Sequence, residues 1–351
     1  MLLFILRLLF GVKKQTRHTL PEMRSVLVVR QQNQLGDQLA ITPLLRAIKN
    51  HFPQCKLTFI CSPENAIALK GNTDIDTLFV FDKKQLFDFG YLTSLYKTLR
   101  SCYSMVLAPA TVSLSFTNNV LAGIANSQCK VGPNSLNGVE NETAFLFHHR
   151  IDLDWRANPE THITQRSQGL LIPFGIVNKS TELIITPSEA QKNEAKQIIA
   201  KWAQTNGVPL IGLHIGAGKP PNRWPVENFI AVAESLQEQT NALVYLTGSS
   251  ADLPIIEQFE QLAKKSFPKV FNQPIPVLAE IISRSDLFIT NDTGVMHIAA
   301  ATTTKQVSLF GPTEYEVWAP QGNGKIAVAN GEAITSITVQ EVLDLALQLL
   351  H

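Results

Sequence analysis

The sequence has little of what marks several common classes of protein. It contains four cysteines among 351 residues, and their spacing forms no Cys-x-x-Cys pair. A zinc site or a disulfide framework is therefore not expected, and a reducing cytosol is the natural setting. The formal net charge is +1, which gives no general attraction to nucleic acid. The chain shows no short-period repeat and no low-complexity tract, and its 45% hydrophobic residues provide ample material for buried cores.

The N-terminal segment, residues 1–22, begins with an apolar run and carries basic side chains at Arg7, Lys13, Lys14 and Arg17. The run has about ten residues, which is too short to span a bilayer. A signal peptide would place basic residues first and a small-residue cleavage site afterwards, and neither is present. Two interpretations stay open: a helix lying on an anionic membrane surface, or a helix packed on the protein itself.

Short apolar runs alternate with helical stretches along the rest of the chain. The predicted strands are 26–29, 57–60, 77–81 and 104–107, then 210–215, 242–246, 287–290 and 307–310. A long polar helix is predicted at about 188–205 and an amphipathic one at 339–350. This alternation predicts an α/β protein with parallel sheets and helices on both faces. The length suggests two domains, 23–178 and 179–351, and the last helix could pack back on the first of them.

The most informative block is 287–313, where an apolar run ends and a helix opens at once. Asp292, Thr293 and Gly294 stand at that junction, where free backbone N–H groups favour an anion. A second apolar run ends at Gly311 and Thr313, and two such loops would lie side by side at the carboxyl ends of parallel strands. We expect a phosphate-bearing ligand there. The alternative is that Asp292 and Thr293 are ordinary helix caps.

Asp37 follows the first predicted strand, in the segment 30–37. Thr42 and Pro43 resemble a helix opening, which would leave Asp37 in the preceding loop. A carboxylate there could act as a general base toward a substrate hydroxyl. A capping or loop-stabilising aspartate is the alternative.

Two further loops follow predicted strands of the second domain. The segment 216–225 is glycine-rich but matches neither a Walker A motif nor a G-x-G-x-x-G fingerprint, because position 213 is leucine and position 221 is proline. Lys219 and Arg223 could neutralise a diphosphate, or could be solvated surface charges. The next loop, 247–252, could contact a ribose or base through its hydroxyls or through Asp252, or could serve the loop alone.

Two Asp-x-Asp pairs, at 74–76 and 152–154, match a metal pattern of some sugar-nucleotide enzymes. Three-residue matches of this kind are common by chance, and neither pair follows a promising loop. No metal site and no cofactor are therefore predicted.

Three blocks together resemble glycosyltransferase family 9, the lipopolysaccharide heptosyltransferases. The resemblance lies in Arg30 followed by Leu35, Gly36, Asp37 and Pro43; in Gly216 followed by Arg223, Trp224 and Pro225; and in the Asn-Asp-Thr-Gly motif at 291–294 with His297 and the Phe-Gly-Pro-Thr motif at 310–313. The blocks keep the family's order and spread over about residues 25–320.

The resemblance implies a GT-B fold, with two facing Rossmann-like domains and an active site in the cleft. The first domain would take a lipid-linked saccharide acceptor, with Gly36 and Arg30 on the acceptor side, and the second an ADP-sugar donor. Asp37 would deprotonate the acceptor hydroxyl, and attack at the anomeric carbon would expel ADP with inversion and without a metal. The cations and the amides at Thr293 and Gly294 would stabilise the leaving diphosphate. A cytoplasmic protein, peripheral on the inner face of the bacterial inner membrane, would result.

The same resemblance assigns Asp292 to the hydroxyls of the donor sugar and His297 to support of the loop. One departure stands out: the family often has lysine two residues before the tryptophan of its Trp-Pro pair, and this chain has Asn222. Three alternatives to a heptosyltransferase therefore stay open. They are a family 9 transferase that uses another nucleotide sugar, a degenerate nucleotide-sugar-binding protein, and a sugar-nucleotide epimerase.

Overall fold

The computed structural model describes residues 1–31, 33–202, 207–331 and 333–351, and in this part of the chain two compact α/β units are present, 1–181 and 182–351. The predicted α/β class with two parallel-sheet domains is confirmed. The strands are β1 (Ser25–Val29), β2 (Lys56–Cys61), β3 (Thr77–Val80), β4 (Met105–Leu107), β5 (Lys130–Leu136), β6 (Val139–Glu140), β7 (His149–Leu153), β8 (Leu210–His214), β9 (Leu243–Gly248), β10 (Lys269–Phe271), β11 (Leu287–Asn291), β12 (Lys305–Leu309) and β13 (Lys325–Val328).

The α-helices lie between these strands and at both termini. They are α1 (Leu2–Phe10), α2 (Leu35–Leu39), α3 (Thr42–His51), α4 (Pro63–Leu69), α5 (Phe89–Arg100), α6 (Phe116–Ile124), α7 (Ile163–Ser167), α8 (Glu189–Ala200), α9 (Val226–Thr240), α10 (Leu253–Leu262), α11 (Ile275–Ser283), α12 (Gly294–Ala300), α13 (Tyr315–Trp318) and α14 (Val339–Leu350). The polar helix predicted at 188–205 is α8, and residues 203–205 of that prediction lie outside the described residues.

The first unit is built on a sheet in the order β3-β2-β1-β4-β5-β6, with β7 also paired to β5. All its pairs are parallel except the one between β5 and β6. Apolar clusters cover both faces, so β1 is buried along four of its five residues. A strand covered on both sides reads as a continuous apolar run, which explains why it was predictable from sequence.

The second unit has the regular order β10-β9-β8-β11-β12-β13, and every pair in it is parallel. This is the strand order of a doubly wound fold that reverses direction beside its first strand. The last helix, α14, packs on α9 and β12, with Val342, Leu343 and Ala346 in the core of this unit.

The prediction for the segment before α3 was wrong in one respect. Asp37 lies in the short helix α2, in its first turn, and not in an extended loop. Thr42 is the first residue of α3, and Ile41 occupies the cap position. The reason is local: the hydroxyl of Thr42 donates to the carbonyl of Leu39 at 2.8 Å, so it joins α2 to α3 instead of capping α3.

Several strands were absent from the prediction, and their sequences explain why. β5 contains Gly132, Pro133 and Asn134, which are all unfavourable in strands. A side chain at position 132 would lie 2.4 Å from the ring of Phe147, so glycine is required there by packing. β10 and β13 have three and four residues, and each has one buried residue, so neither gives the long buried run of a central strand.

Candidate active site

In both units, the predicted site residues lie beyond the carboxyl ends of parallel strands. In the first unit they follow β1, and in the second they follow β8, β9, β11 and β12. The strand order reverses between β1 and β4 and between β8 and β11, which opens a crevice at the carboxyl edge of each sheet. Each unit therefore places its candidate residues where open α/β sheets bind ligands.

A buried ion pair occupies this position in the first unit. Arg30 has no exposed surface, and Asp37 is 6% exposed. The Nη2 of Arg30 donates to Oδ1 of Asp37 at 3.1 Å and to the hydroxyl of Thr111 at 2.7 Å, and that hydroxyl donates to the same Oδ1 at 3.2 Å. The Nη1 of Arg30 donates to the carbonyl of Pro109 at 3.1 Å. Thus the segments after β1 and after β4 are joined through one guanidinium.

The two oxygens of Asp37 differ in their surroundings. Oδ1 accepts from Arg30 and Thr111, whereas Oδ2 has no hydrogen-bond partner among the described residues. Burial lowers the pKa of the Arg30 guanidinium, and attraction to Asp37 opposes that shift. The arrangement fixes one carboxylate oxygen and leaves the other able to accept a proton.

Thr111 and Pro109 were missed by the sequence analysis. A signal was available, because both follow β4, which was predicted as a strand ending at 107. What sequence could not supply was the order of the strands, which brings the end of β4 beside that of β1. Gly36 is buried next to Asp37 in α2, whereas Gln32 of this segment lies outside the described residues.

In the second unit, Asn291 fixes the loop after β8. Its side-chain amide donates to the carbonyl of Ile215 at 2.9 Å, and its carbonyl accepts from the backbone N–H of Trp224 at 3.1 Å. The indole of Trp224 is buried and donates to the carbonyl of Ile337 at 2.9 Å. The Trp-Pro pair is therefore a structural anchor for the glycine-rich turn.

Two glycines let neighbouring loops approach closely. A Cβ on Gly216 would lie 2.0 Å from Oδ1 of Asp252, and a Cβ on Gly311 would lie 2.7 Å from the carbonyl oxygen of Pro221. The loops after β8, β9 and β12 thus converge on the same edge of the sheet. Asp252 also accepts from the backbone and hydroxyl of Ser249, so at least one of its oxygens serves the loop itself.

A hydrogen-bonded triad lies where these loops meet. The amide nitrogen of Asn222 donates to Oδ2 of Asp292 at 2.7 Å and to the hydroxyl of Thr313 at 3.2 Å. Burial raises the pKa of Asp292, while the Thr313 hydroxyl and the charge of Lys219 lower it by less. Among the described residues, Asp292 forms no ion pair.

A pocket of about 560 Å³ opens beside this triad, a volume in the range of small-molecule sites. Its lining combines a cation, polar groups and an aromatic ring: Lys219, Pro220, Pro221, Asn222, Pro312, Thr313, Glu314 and Trp318. Glu314 and Trp318 were not predicted. Trp318 also contacts the buried ring of His297 edge to face, with centroids 5.9 Å apart, so His297 lies behind the pocket wall.

Three further predicted residues are not among those that line this pocket. Thr293 caps α12, which begins at Gly294, and no side-chain cap hydrogen bond is made there. Arg223 is exposed and its Nε donates to the carbonyl of Ala217 at 2.7 Å, while Lys219 is exposed at the pocket. Lys219 is thus the cation that the structure places beside the triad.

The Asp-x-Asp carboxylates serve structural contacts. Asp74 pairs with Arg46 at 2.7 Å and Asp76 with Lys49 at 2.6 Å. In the described ranges, no three His, Cys, Asp or Glu side chains group closely enough to hold a metal ion.

The fold and these loops define a two-unit α/β transferase of the GT-B class. The sequence model of glycosyltransferase family 9 (heptosyltransferase) matches residues 93–343, and the chain belongs to this family. It is 25% identical over 305 residues to lipopolysaccharide heptosyltransferase 3 of Escherichia coli (strain K12), covering 81% of this chain and 82% of that one.

Two solved structures share the fold. The family 9 glycosyltransferase of Veillonella parvula superposes with a TM-score of 0.81 at 20% identity, over 95% of this chain and 99% of that one. The ADP-heptose lipopolysaccharide heptosyltransferase II of E. coli gives 0.74 at 18% identity, over 93% and 98%. The expected family and fold class are thus confirmed.

The half-buried charge of Asp292 generates a prediction about stability. At neutral pH, Asp292→Asn should raise the free energy of unfolding by about 1 kcal/mol, because an ionised carboxylate without a cation partner is costly to bury. The raised pKa means that this cost is present at high pH and disappears as the pH falls toward the ordinary value of 3.8. Urea unfolding of the unaltered protein and of Asp292→Asn at pH 7 and pH 4 measures the change in stability and its dependence on pH.

Asp152→Asn is the matched control. Hydrogen bonds from Ser135 and Asn134 lower the pKa of Asp152, so its replacement should destabilise the protein at pH 7. A loss of stability in Asp292→Asn at pH 7 would contradict the analysis of the triad.

Proposed function

We propose that this protein transfers heptose from ADP-heptose to a lipopolysaccharide-core acceptor, with inversion at the anomeric carbon. Family membership supports glycosyl transfer, and the names of the relatives supply the donor and acceptor class. The observation that carries the mechanism is the asymmetry of Asp37: Oδ1 is held by Arg30 and Thr111, and Oδ2 is available.

In this mechanism Asp37 is the general base. Its Oδ2 takes the proton of the acceptor hydroxyl as the hydroxyl oxygen attacks the anomeric carbon. The bond from that carbon to the diphosphate oxygen breaks, and ADP leaves with the electron pair. Arg30 and Gly36 belong to the acceptor side in this proposal. Attack from the face opposite the leaving group accounts for inversion.

The second unit would hold the donor. Lys219 and Arg223 offer positive charge to the diphosphate, and the backbone at Thr293 and Gly294 offers N–H groups at the loop. Asp292 would accept from sugar hydroxyls, with its orientation fixed by Asn222. The same edge of the sheet is shaped by Gly216, Asp252, Gly311 and Thr313. In this proposal His297 supports the loop after β11. We propose that these groups stabilise the departing diphosphate without a metal ion.

A family 9 transferase with another nucleotide sugar is the second candidate. Asn222 favours it, because an amide stands beside Asp292 where the family often has lysine. The amide donates two hydrogen bonds but carries no charge. The preference among nucleotide-sugar donors can therefore differ from that of a relative with lysine at this position. The intact contacts of Asp37 argue against a degenerate, merely binding protein.

We also propose that α1 contacts the membrane surface. Leu6 is buried on Phe145 and Leu146, whereas Phe4 and Leu8 are 71% and 75% exposed. Each of the two interpretations of the N-terminal segment therefore describes one face of α1: one face packs on the protein, and the other is free to contact lipid. Within the described residues, none of the helices is long and apolar enough to cross a bilayer. The basic side chains at 7–17 would face anionic lipid on the cytoplasmic side.

Donor preference is measured by calorimetry with ADP-heptose, UDP-sugars and GDP-sugars. We expect ADP-heptose to bind most tightly and magnesium to leave its Kd unchanged, because protein cations neutralise the diphosphate. Tighter binding of a UDP- or GDP-sugar would contradict the heptose assignment while leaving the family intact. Absence of binding by all donors would support a degenerate site.

The base assignment is tested with Asp37→Asn, which keeps an oxygen for Arg30 and avoids leaving the buried guanidinium unpaired. Turnover should fall at least about 100-fold, since the proton acceptor is lost, while the Kd for ADP-heptose stays within about twofold. Asp82→Asn, at a half-buried helix cap of the same unit, is the control and should retain full turnover. Unchanged turnover in Asp37→Asn would disprove the assignment.

Thr111 is proposed as a positioning residue. Thr111→Val keeps its shape but removes the hydroxyl, so Oδ1 of Asp37 loses one of its two hydrogen bonds. We expect kcat to fall by about tenfold with little change in KM. Thr111→Ser restores the hydroxyl and should restore kcat. An unchanged kcat in Thr111→Val would leave Thr111 with a packing role alone.

A further inference from the structure

A second exposed apolar surface lies on α5, away from the site described above. We define the α5 surface by its four side chains: Phe87, Phe89, Leu92 and Tyr96 are 98%, 84%, 40% and 64% exposed. The last three follow the spacing i, i+3 and i+7, so they form one stripe along the helix. Leu95 and Leu99, on the adjoining face of the helix, are buried.

The turn that carries these side chains is tightly hydrogen-bonded. Asp88 caps α5 by accepting from the backbone N–H of Tyr91 at 2.6 Å. The hydroxyl of Tyr91 accepts from the N–H of Asp82 at 2.8 Å and donates to the carbonyl of Val80 at 3.1 Å. Phe87 and Phe89 are thus held in solvent by the fixed backbone on either side of Asp88. Exposed clusters of this kind commonly mark an interaction surface.

The charges around the α5 surface identify its partner. The segment 82–100 has four basic residues, Lys83, Lys84, Lys97 and Arg100, and two acidic ones, Asp82 and Asp88. Both acidic side chains accept backbone N–H groups at helix starts. Aromatic rings flanked by lysine and arginine suit the interface of an anionic bilayer, where rings enter the headgroup region and cations meet phosphates.

The position of the α5 surface relative to α1 supports the same partner. α5 and α6 cover one face of the first sheet, and α6 reaches α1 through Val120. The exposed faces of α1 and α5 therefore flank α6 within a single unit. Residues 1–21 contain four basic residues and no acidic one, so both surfaces favour the same kind of lipid.

We propose that the α5 surface is a second membrane contact, which binds an anionic bilayer together with α1. Two weak contacts on one rigid unit bind far more tightly than either alone, because the second contact forms at high effective concentration. Since single amphipathic helices bind reversibly, the pair would hold the protein at the surface that carries a lipid-linked acceptor. The contact with lipid does not depend on Asp37 or on the donor.

The test measures sedimentation with vesicles of phosphatidylglycerol and phosphatidylethanolamine, without donor or acceptor. Phe87→Ser/Phe89→Ser should weaken binding by at least about tenfold, and Phe4→Ser/Leu8→Ser should do the same for α1. The matched control is Leu253→Ser/Leu262→Ser, which removes two exposed apolar side chains from α10 and should bind like the unaltered protein. Circular dichroism verifies the fold of each variant.

A second pair of variants tests the charge. Lys83→Ala/Lys84→Ala should weaken binding to phosphatidylglycerol vesicles and reduce its salt dependence, whereas Lys264→Ala/Lys265→Ala, an exposed lysine pair of the second unit, should not. Unchanged vesicle binding in folded Phe87→Ser/Phe89→Ser would overturn the proposal. So would a concentration-dependent dimer that this variant abolishes, because a second copy of the chain would then cover the surface.

Discussion

The direction of the strands in the two sheets is the constraint on which the candidate site depends. Every strand beside β1, and every strand beside β8, runs parallel to it, so the carboxyl ends meet at one edge. Because both faces of each sheet are covered, apolar side chains predominate in the strands, and most polar side chains of the candidate site lie at or beyond the strand ends. The reversal of strand order beside β1 and β8 then separates the loops and leaves room for a ligand.

Burying Arg30 and Asp37 together in this crevice costs free energy of folding. Removing two charges from water costs several kcal/mol each, and their attraction rarely returns a net gain in stability. Here the guanidinium also reaches Thr111 and the carbonyl of Pro109, while its Nε has no hydrogen-bond partner in the described part of the chain. A network that is fixed yet incompletely satisfied serves orientation better than stability, which is consistent with a carboxylate held for chemistry.

The carboxylate of the second unit, that of Asp292, has different electrostatic surroundings. Asp292 is half-buried, and its partners Asn222 and Thr313 are neutral. The positive charge that lowers the pKa of Asp292 is that of Lys219, which is exposed at the pocket. A lysine at position 222 would pair with Asp292 directly and neutralise it. With asparagine there, Asp292 receives a hydrogen bond but no charge from position 222; in the proposed donor site this leaves the cations of the glycine-rich turn to neutralise the phosphates.

The sequence by itself determined the α/β class, the central strands and the loops that carry Asp37, Lys219 and Asp292, because buried parallel strands are continuous apolar runs and their polar ends stand out against them. It did not reveal β5, whose Gly132 packs against Phe147, or the helical conformation around Asp37. Thr111, Glu314 and Trp318 became recognisable once neighbouring strands were known. Those contacts join residues far apart in the chain, and it is strand order, a property of tertiary packing and not of local propensity, that decided which loops meet.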